Sequence, residues 1–344
     1  MAKESRRYKL LIAVMVLASV MVWLFGFFGT IHLLSYTRIH KGDKLRHVNI
    51  AFPEWAGYAP LYLAKDKGFF KEEGLDVTLI NEQVDSARRD AFIAGMLDFE
   101  AGTLDLLIAK KGLDAPITAV MIIDESLGSD GIVAVKEIKS LEDLIGKKVA
   151  LTPEDVNELF LYYVLRERGL SPDKIIPVPR RSQHVTDDFL AGEADAVVAW
   201  EPFLSNALKK PGSHILATSA DFPGVIVDTL NARNDLIKNE PQVVRGVMRA
   251  WFKAVKYYRE HPAEASSIIA KYYGTSPERY REDIKGLKWV DYKEQADPIR
   301  YDNMAKMFGI ISDRKLERGK ILSSPALEET LDLSLLEGLY ETGN

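Results

Sequence analysis

His47-Val48-Asn49-Ile50-Ala51-Phe52-Pro53 opens the stretch whose reading decides the fold. The run from His47 to Phe52 is a short β pattern, and Pro53, which has no N–H to donate to a ladder, stops it. Ala59–Lys67 follows as a helix, with Pro60 suited to its first turn and Gly68 to its C-terminal cap. Leu75–Ile80 then alternates as a second strand. Strand, helix and strand in close succession are the repeating unit of an α/β protein.

The same rhythm continues downstream. Asp85-Ser86 can cap a helix that ends at Gly95, and Thr103 another that ends at Gly112. Ile117–Ile123 and Ile132–Val135 are apolar enough for strands covered on both faces. Lys148–Leu151, Lys174–Val178 and Ala196–Ala199 read as strands, with helices over Val156–Arg168 and Val185–Ala191 between them, so largely parallel sheets are expected. Past Asn234 the pattern is helical only, over Pro241–Glu260, Pro262–Tyr272, Pro277–Gly286 and Ala326–Tyr340. The tail spacing Leu327, Leu331, Leu335, Leu339 fits a helix that braces the first half of the chain or docks elsewhere.

Upstream, Leu10–Ile31 carries no charge and would reach roughly 33 Å as a helix, enough to cross the hydrocarbon of a bilayer. Arg6, Arg7 and Lys9 precede it, which keeps residues 1–9 in the cytoplasm as a short stub. Residues 10–36 are therefore read as a transmembrane signal-anchor and 37–46 as a linker. The apolar run is longer than a signal-peptide core, ends in bulky Trp23, Phe25, Phe27 and Phe28, and shows no clear Ala-x-Ala cleavage site. On this reading the rest of the chain works on the extracytoplasmic side of the cell membrane.

Composition narrows the function. The 344 residues include no cysteine, which removes disulfides, thiolate metal sites, cysteine nucleophiles and lipid attachment through cysteine. A net charge of −5, with no basic stretch interleaved with aromatics, argues against nucleic acid as a partner. The usual phosphate-loop, dinucleotide-binding, zinc-protease and serine-hydrolase strings are missing. The six histidines stand far apart, with none at metal-ligand spacing. No cofactor, metal site or catalytic residue is expected.

What remains lies at the strand-to-helix corners, where open parallel sheets bind ligands. In order these are Glu54-Trp55-Ala56-Gly57-Tyr58, Thr103-Leu104-Asp105, Asp124-Glu125-Ser126-Leu127-Gly128-Ser129-Asp130, Thr152-Pro153-Glu154-Asp155, Trp200-Glu201-Pro202 and Val227-Asp228-Thr229. Aromatics and carboxylates recur, while cations are scarce. Trp55, Tyr58 and Trp200 suit a core or lobe interface as well as a ligand. Thr152 and Asp155 suit something close to a capping box, and Asp105 the first turn of a helix. Glu201 and Asp228 follow apolar strands, and a desolvated carboxylate needs a donor or a cation. Arg88, Arg180, Arg181 and Arg233 read as solvated surface residues.

Trp55-Ala56-Gly57-Tyr58-Ala59-Pro60-Leu61-Tyr62-Leu63-Ala64-Lys65-Asp66-Lys67-Gly68-Phe69-Phe70, continuing into Lys71-Glu72-Glu73-Gly74-Leu75-Asp76-Val77, resembles the opening signature of a family. It is that of ABC-transporter substrate-binding proteins of the nitrate/sulfonate/taurine and thiamine-precursor group. Gly95-Met96-Leu97-Asp98, Leu141–Val149, Ala191–Asp195 before Trp200-Glu201-Pro202, and Val227-Asp228 support the resemblance, which covers about Val48 to Tyr273. It implies a type II periplasmic-binding-protein fold. Two α/β lobes (47–133 with 228–344, and 134–227) would be joined by crossover strands near Ile132–Val135 and Val227–Asn231. It further implies a monomer that closes on a small solute and delivers it to an ABC permease with its ATPase subunits.

The implied ligand-binding set is Trp55, Tyr58, Asp105, Asp124, Ser126, Asp130, Asn157, His184, Trp200, Glu201 and Asp228. Such acidic corners favour a solute with an amine, cationic or hydrogen-bond-donating ring end over an oxyanion. A membrane-anchored sensing or partner-presenting domain would share the anchor and the cleft. A synthase of the thiamine pyrimidine shares the fold, but looks to depend on cysteines that this chain lacks.

Overall fold

The computed structural model describes residues 45–181 and 184–340. The expected cytoplasmic stub, the anchor 10–36 and nearly all of the linker 37–46 lie outside the described residues. Among the described residues no helix is long and apolar enough to cross a membrane.

Strand β1 (Arg46–Phe52) sends Val48, Ile50 and Phe52 into one apolar core and Ala51 into another, as two-residue alternation requires of a strand covered on both faces. Beside it lie β2 (Leu75–Asn81) and β3 (Phe99–Thr103), both parallel to β1. β10 (Val227–Arg233) pairs antiparallel with β3 and with β4 (Ile117–Ser126), and β11 (Leu287–Trp289) closes the far edge against β4. The first sheet therefore has the order β11-β4-β10-β3-β1-β2. The second is β7-β6-β8-β5-β9, made of β5 (Asp130–Ala134), β6 (Lys148–Leu151), β7 (Ile176–Pro179), β8 (Ala196–Trp200) and β9 (His214–Thr218). Pro177 and Pro179 are tolerated in β7 because it is an edge strand.

Each sheet is mixed, where largely parallel pairing was expected. The strands that begin or end a lobe crossing (β4, β5, β9, β10) all pair antiparallel. The chain passes from the first sheet to the second through 127–129 and returns through 219–226, whereas Ile132–Val135 begins inside β5 and Val227–Asn231 lies in β10. The two crossings run side by side. Gly128 N donates to Ser219 Oγ at 2.7 Å, Ser126 Oγ and Ser219 Oγ stand 2.8 Å apart, and Ser126 N donates to Ile226 O at 3.0 Å.

Helices cover the first sheet. Pro241–Glu260 starts with proline at its first turn and buries Val244, Val247, Met248, Trp251 and Val255 along one stripe. On the other face Leu104–Lys111 packs beneath Pro298–Glu317. The pattern past Asn234 departs from the helices-only expectation. β11 is a strand, Pro298–Glu317 is a further helix, and 326–340 is no continuous helix: it holds Leu327–Thr330, a β-bridge from Leu331 to Ala119, and a 3₁₀ turn at Ser334–Leu336.

Candidate functional site

The first corner is held from above. Residues Ala56–Tyr58 form a 3₁₀ turn after β1, and the three successive carbonyls of its N-cap Trp55, Ala56 and Gly57 each accept from an aromatic side chain of the C-terminal segment. Tyr273 Oη donates to Trp55 O at 2.6 Å, Tyr280 Oη to Ala56 O at 3.2 Å, and Trp289 Nε1 to Gly57 O at 2.8 Å. Nothing in the sequence reading singled out these three residues; only the returning chain brings them over the turn. Gly57 has no room for a side chain. A Cβ there would stand 2.2 Å from Asp124 Oδ2 and 2.4 Å from Trp55 Nε1, so the carboxylate and the indole close around bare backbone.

The carboxylates gather at the neighbouring strand ends. Asp228 on β10 stands opposite Thr103 on β3 and Asp124 on β4, so two carboxylates are cross-strand neighbours. Asp124 is 1 % exposed and Asp228 4 %. Burial pushes Asp124 up to about 7, although Asp228 and the Trp55 indole pull it part of the way back. Burial, then the charge of Asp124, drives Asp228 well above the usual carboxylate range, so the pair together retains a proton. Tyr58, wholly buried next to Asp228, has its hydroxyl raised well above its ordinary value by the same desolvation.

The second sheet brings its own carboxylates to this seam. Asp130 at the start of β5 is raised to about 7 by burial, against the effect of the Ser126 hydroxyl, with Asp228, Asp155 and Glu201 adding to the rise. Asp155 caps the helix Val156–Glu167, accepting from Asn157 N at 3.2 Å, and is raised to about 6 by burial and by Asp105. The expected capping box between Thr152 and Asp155 does not form: Glu158 reaches back to Glu154 N at 2.7 Å instead, and Thr152 Oγ1 is left without a partner.

Several buried polar atoms here find no hydrogen-bond partner: Trp55 Nε1, both oxygens of Asp105, Asp124 Oδ2, Asp228 Oδ1, Ser129 Oγ and Asn157 Oδ1. Such atoms are costly to leave unmet, and here most are acceptors from both halves of the fold at one junction. The cation that meets this group among the described residues is Lys315, its Nζ 3.6 Å from Asp105 Oδ2. No group of three or more histidine, cysteine or acidic side chains among the described residues is arranged to hold a metal ion.

The other expected residues fall into two groups. Trp200 sits opposite Asp130 in the β5–β8 ladder and packs edge-on against Phe203 at 5.7 Å. Glu201 accepts from Ser205 N and Ser205 Oγ at 3.1 and 2.8 Å, and its charge reaches Asp130. His184 stands apart: it is exposed, its Nδ1 2.9 Å from Asp187 Oδ2, and no contact links it to the carboxylates. Its proximity in sequence to the second sheet's loops is not matched in space.

None of the four arginines serves the site. Arg88 is not solvated as expected but is 2 % exposed, donating to Glu100, Asp85 and the Glu82 carbonyl in a buried network that Lys110 joins. Arg180 pairs with Asp188, Arg233 with Asp235 and the Gly95 carbonyl, and Arg181 is exposed.

Two α/β lobes, paired crossings and polar groups converging at the seam define a periplasmic-binding-protein fold. The periplasmic aliphatic sulphonate-binding protein of Escherichia coli superposes with a TM-score of 0.70 at 18% identity, over 85% of this chain and 99% of that one. The family described as NMT1/THI5 like matches residues 55–265, and the chain belongs to it. Among its relatives, a nitrate import ATP-binding protein of Synechocystis is 29% identical over an alignment of 265 residues that covers 69% of this chain and 39% of that protein. A 4-amino-5-hydroxymethyl-2-methylpyrimidine phosphate synthase of Aspergillus parasiticus is 28% identical over 229 residues, 60% of this chain and 65% of that one. The chain thus spans less than two thirds of the length of either relative.

Proposed function

We propose that this chain is the extracytoplasmic solute-binding component of an ABC importer. On this reading it captures a small organic solute between its lobes, closes on it and presents it to a permease. The solute carries an amine, a cationic centre or a hydrogen-bond-donating ring edge. One observation carries the solute class: the buried carboxylates Asp105, Asp124, Asp130 and Asp228 gather at the interlobe seam, with Lys315 the cation in reach among the described residues. A nitrate or sulfonate would add negative charge to that group, and no arginine reaches in to meet it. A donor-bearing solute supplies what the acceptors lack, and the half-buried Trp55 ring offers a face for stacking or cation–π contact. A sequence free of cysteine and carboxylates without a nucleophile–base pairing favour binding over catalysis.

The uncharged stretch Leu10–Ile31 fits a tether that keeps the lobes beside their permease. Washing membranes at alkaline pH should then leave the chain in the pellet. Its release would remove the tether and leave the solute assignment standing.

A thermal-shift panel on the purified full-length chain tests the solute. Butylamine, choline and 4-aminopyrimidine represent the favoured class, nitrate and ethanesulfonate the other. A ligand at about 100 times its Kd adds roughly 2.7 kcal/mol, which raises Tm by a few degrees in a chain of this size. Stabilisation by the first group that is lost in Asp228→Asn is the expected result. Stabilisation by the oxyanions alone would overturn the solute class and spare the importer role, and no response to either would count against both.

A further inference from the structure

The interlobe carboxylates are unevenly provided for. At one end Asp124, Asp130 and Asp228 have a tyrosine, an indole and a serine about them and, among the described residues, no salt-bridge partner, the charge of Arg88 reaching only as far as Tyr58. At the other end Asp105 from the first lobe faces Asp155 from the second, and Lys315 reaches in from the helix Pro298–Glu317. The Lys315 and Asp105 side chains are 9 % and 1 % exposed, so neither charge is hydrated as a surface pair would be. Both oxygens of Asp105 lack a hydrogen-bond donor, and so does the amide oxygen of Asn157, whose own N–H groups face Asp155 and which has no exposed surface. The ammonium is thus near enough to neutralise this end, yet is not spent on hydrogen bonds there.

Its backbone is fixed from both sides. Arg318, three residues on, makes two bonds to Glu158 at 2.8 and 2.9 Å, and the Arg314 guanidinium lies 4.0 Å over the Tyr162 ring; both partners belong to the second lobe. Leu322 N donates to Gly112 O at 2.9 Å on the first. Between these anchors the buried Lys315 side chain carries its ammonium to Asp105 of the first lobe.

Resting on the reading above, we propose that Lys315 is the site's own cation and sets its specificity. It occupies the Asp105–Asp155 end, leaving the Asp124–Asp130–Asp228 end for the single positive centre of a solute. A monocation completes the set. A dication must displace an ammonium that is covalently tethered and therefore always present at high effective concentration. Discrimination against the wrong solute comes here from a built-in repulsion.

Calorimetric titration of the full-length chain with butylamine and with 1,4-diaminobutane tests the assignment. The wild type should bind the monoamine at least as well as the diamine. Lys315→Gln should shift the ratio of affinities towards the diamine by on the order of tenfold or more, and Lys315→Arg should leave the wild-type ratio. An unchanged ratio in a Lys315→Gln protein that still binds butylamine overturns the role of Lys315 and leaves the solute class intact. If Lys315→Gln does not fold, Asp105→Asn gives the complementary reading. With its counter-charge removed, Lys315 should weaken butylamine binding by about tenfold, less so at high salt; unaltered binding overturns the proposal. A wild type that binds neither amine refutes the solute class itself.

Discussion

A carboxylate at the end of a buried strand must be hydrogen-bonded, paired with a cation or protonated. Asp124 and Asp130, raised to about 7 by burial, take the third course as pH falls below that value, whereas Asp155, raised to about 6, takes the first as the cap of Val156–Glu167. The folded form holds protons that an unfolded chain has released, so their contribution to stability is fully present below the ordinary value of 3.8 and is lost as pH rises through about 7. Each such proton gives a slope of about 1.4 kcal/mol per pH unit inside that window. Binding a cation has the opposite demand, because it needs the charged form. Affinity for an amine whose own pKa lies well above this range should therefore rise between pH 5.5 and 7.5, by up to about tenfold per unit for each proton released. Calorimetry in two buffers of different ionisation enthalpy should find net proton release on binding. Proton uptake would indicate an anionic solute. The residue types at these corners were readable from the chain, since Asp124, Asp130 and Asp228 all flank apolar strands. That two of them share one register position across β4 and β10 was not, because pairing between strands so far apart in sequence leaves no local mark.

Among elements, the 3₁₀ turn after β1 depends most on distant chain. Tyr273, Tyr280 and Trp289 each donate to one of its carbonyls, and each lost bond should cost about 0.5–1.5 kcal/mol, more where the carbonyl is left dry. Tyr273→Phe and Tyr280→Phe keep the rings and remove the donors. They should lower the urea midpoint by that amount and weaken solute binding through Trp55 and Tyr58, without moving the pH profile. Unchanged midpoint and affinity would mean that the turn holds its shape unaided. The other βα units up to β8 follow their apolar periodicity closely, with ends displaced by a few residues, but β3 (Phe99–Thr103) was not expected: Glu100 and Gly102 break the apolar run, and its ladders with β1 and β10 supply what the local pattern lacks. The tail does not follow its periodicity. Leu331 packs into the core beneath Pro298–Glu317, whereas Leu335 and Leu339 pack into the opposite one, so a spacing of four residues serves two faces of a sheet and no helix. The helix Pro298–Glu317, by contrast, does carry a legible signature: its buried Met304, Met307, Phe308 and Ile311 stand at i, i+3, i+4 and i+7 behind a first-turn proline. Strand β11, only Leu287–Trp289, is too short to announce itself.

For the whole molecule, the helix Pro298–Glu317 and the residues after it act as a strap. Arg300 pairs with Glu125 at 3.0 Å at the base of the crossings, while Arg318 and Lys320 pair with Glu158 and Glu154 of the second lobe. The core beneath it is shared, with Leu104 and Leu107 of one lobe and Leu159 and Phe160 of the other in one apolar cluster. Opening the seam must slide or break these contacts. The double change Arg318→Ala with Lys320→Ala should cost about 1–3 kcal/mol, between the worth of exposed and buried pairs. It should also enlarge the radius of gyration of the unliganded chain in X-ray scattering. An unaltered scattering curve would show that the strap follows the lobes without restraining them.

The strand order has a consequence for biogenesis. β4, every residue of it buried, has β10 and β11 as its neighbours and makes no ladder with the strands that precede it. A chain emerging from its N-terminus can pair β1, β2 and β3 and can complete the whole second lobe, whose strands are contiguous. All that time β4 stays bare, an apolar ribbon with two open edges, until Val227–Arg233 arrives. During synthesis this one segment is therefore what a holding chaperone must shield.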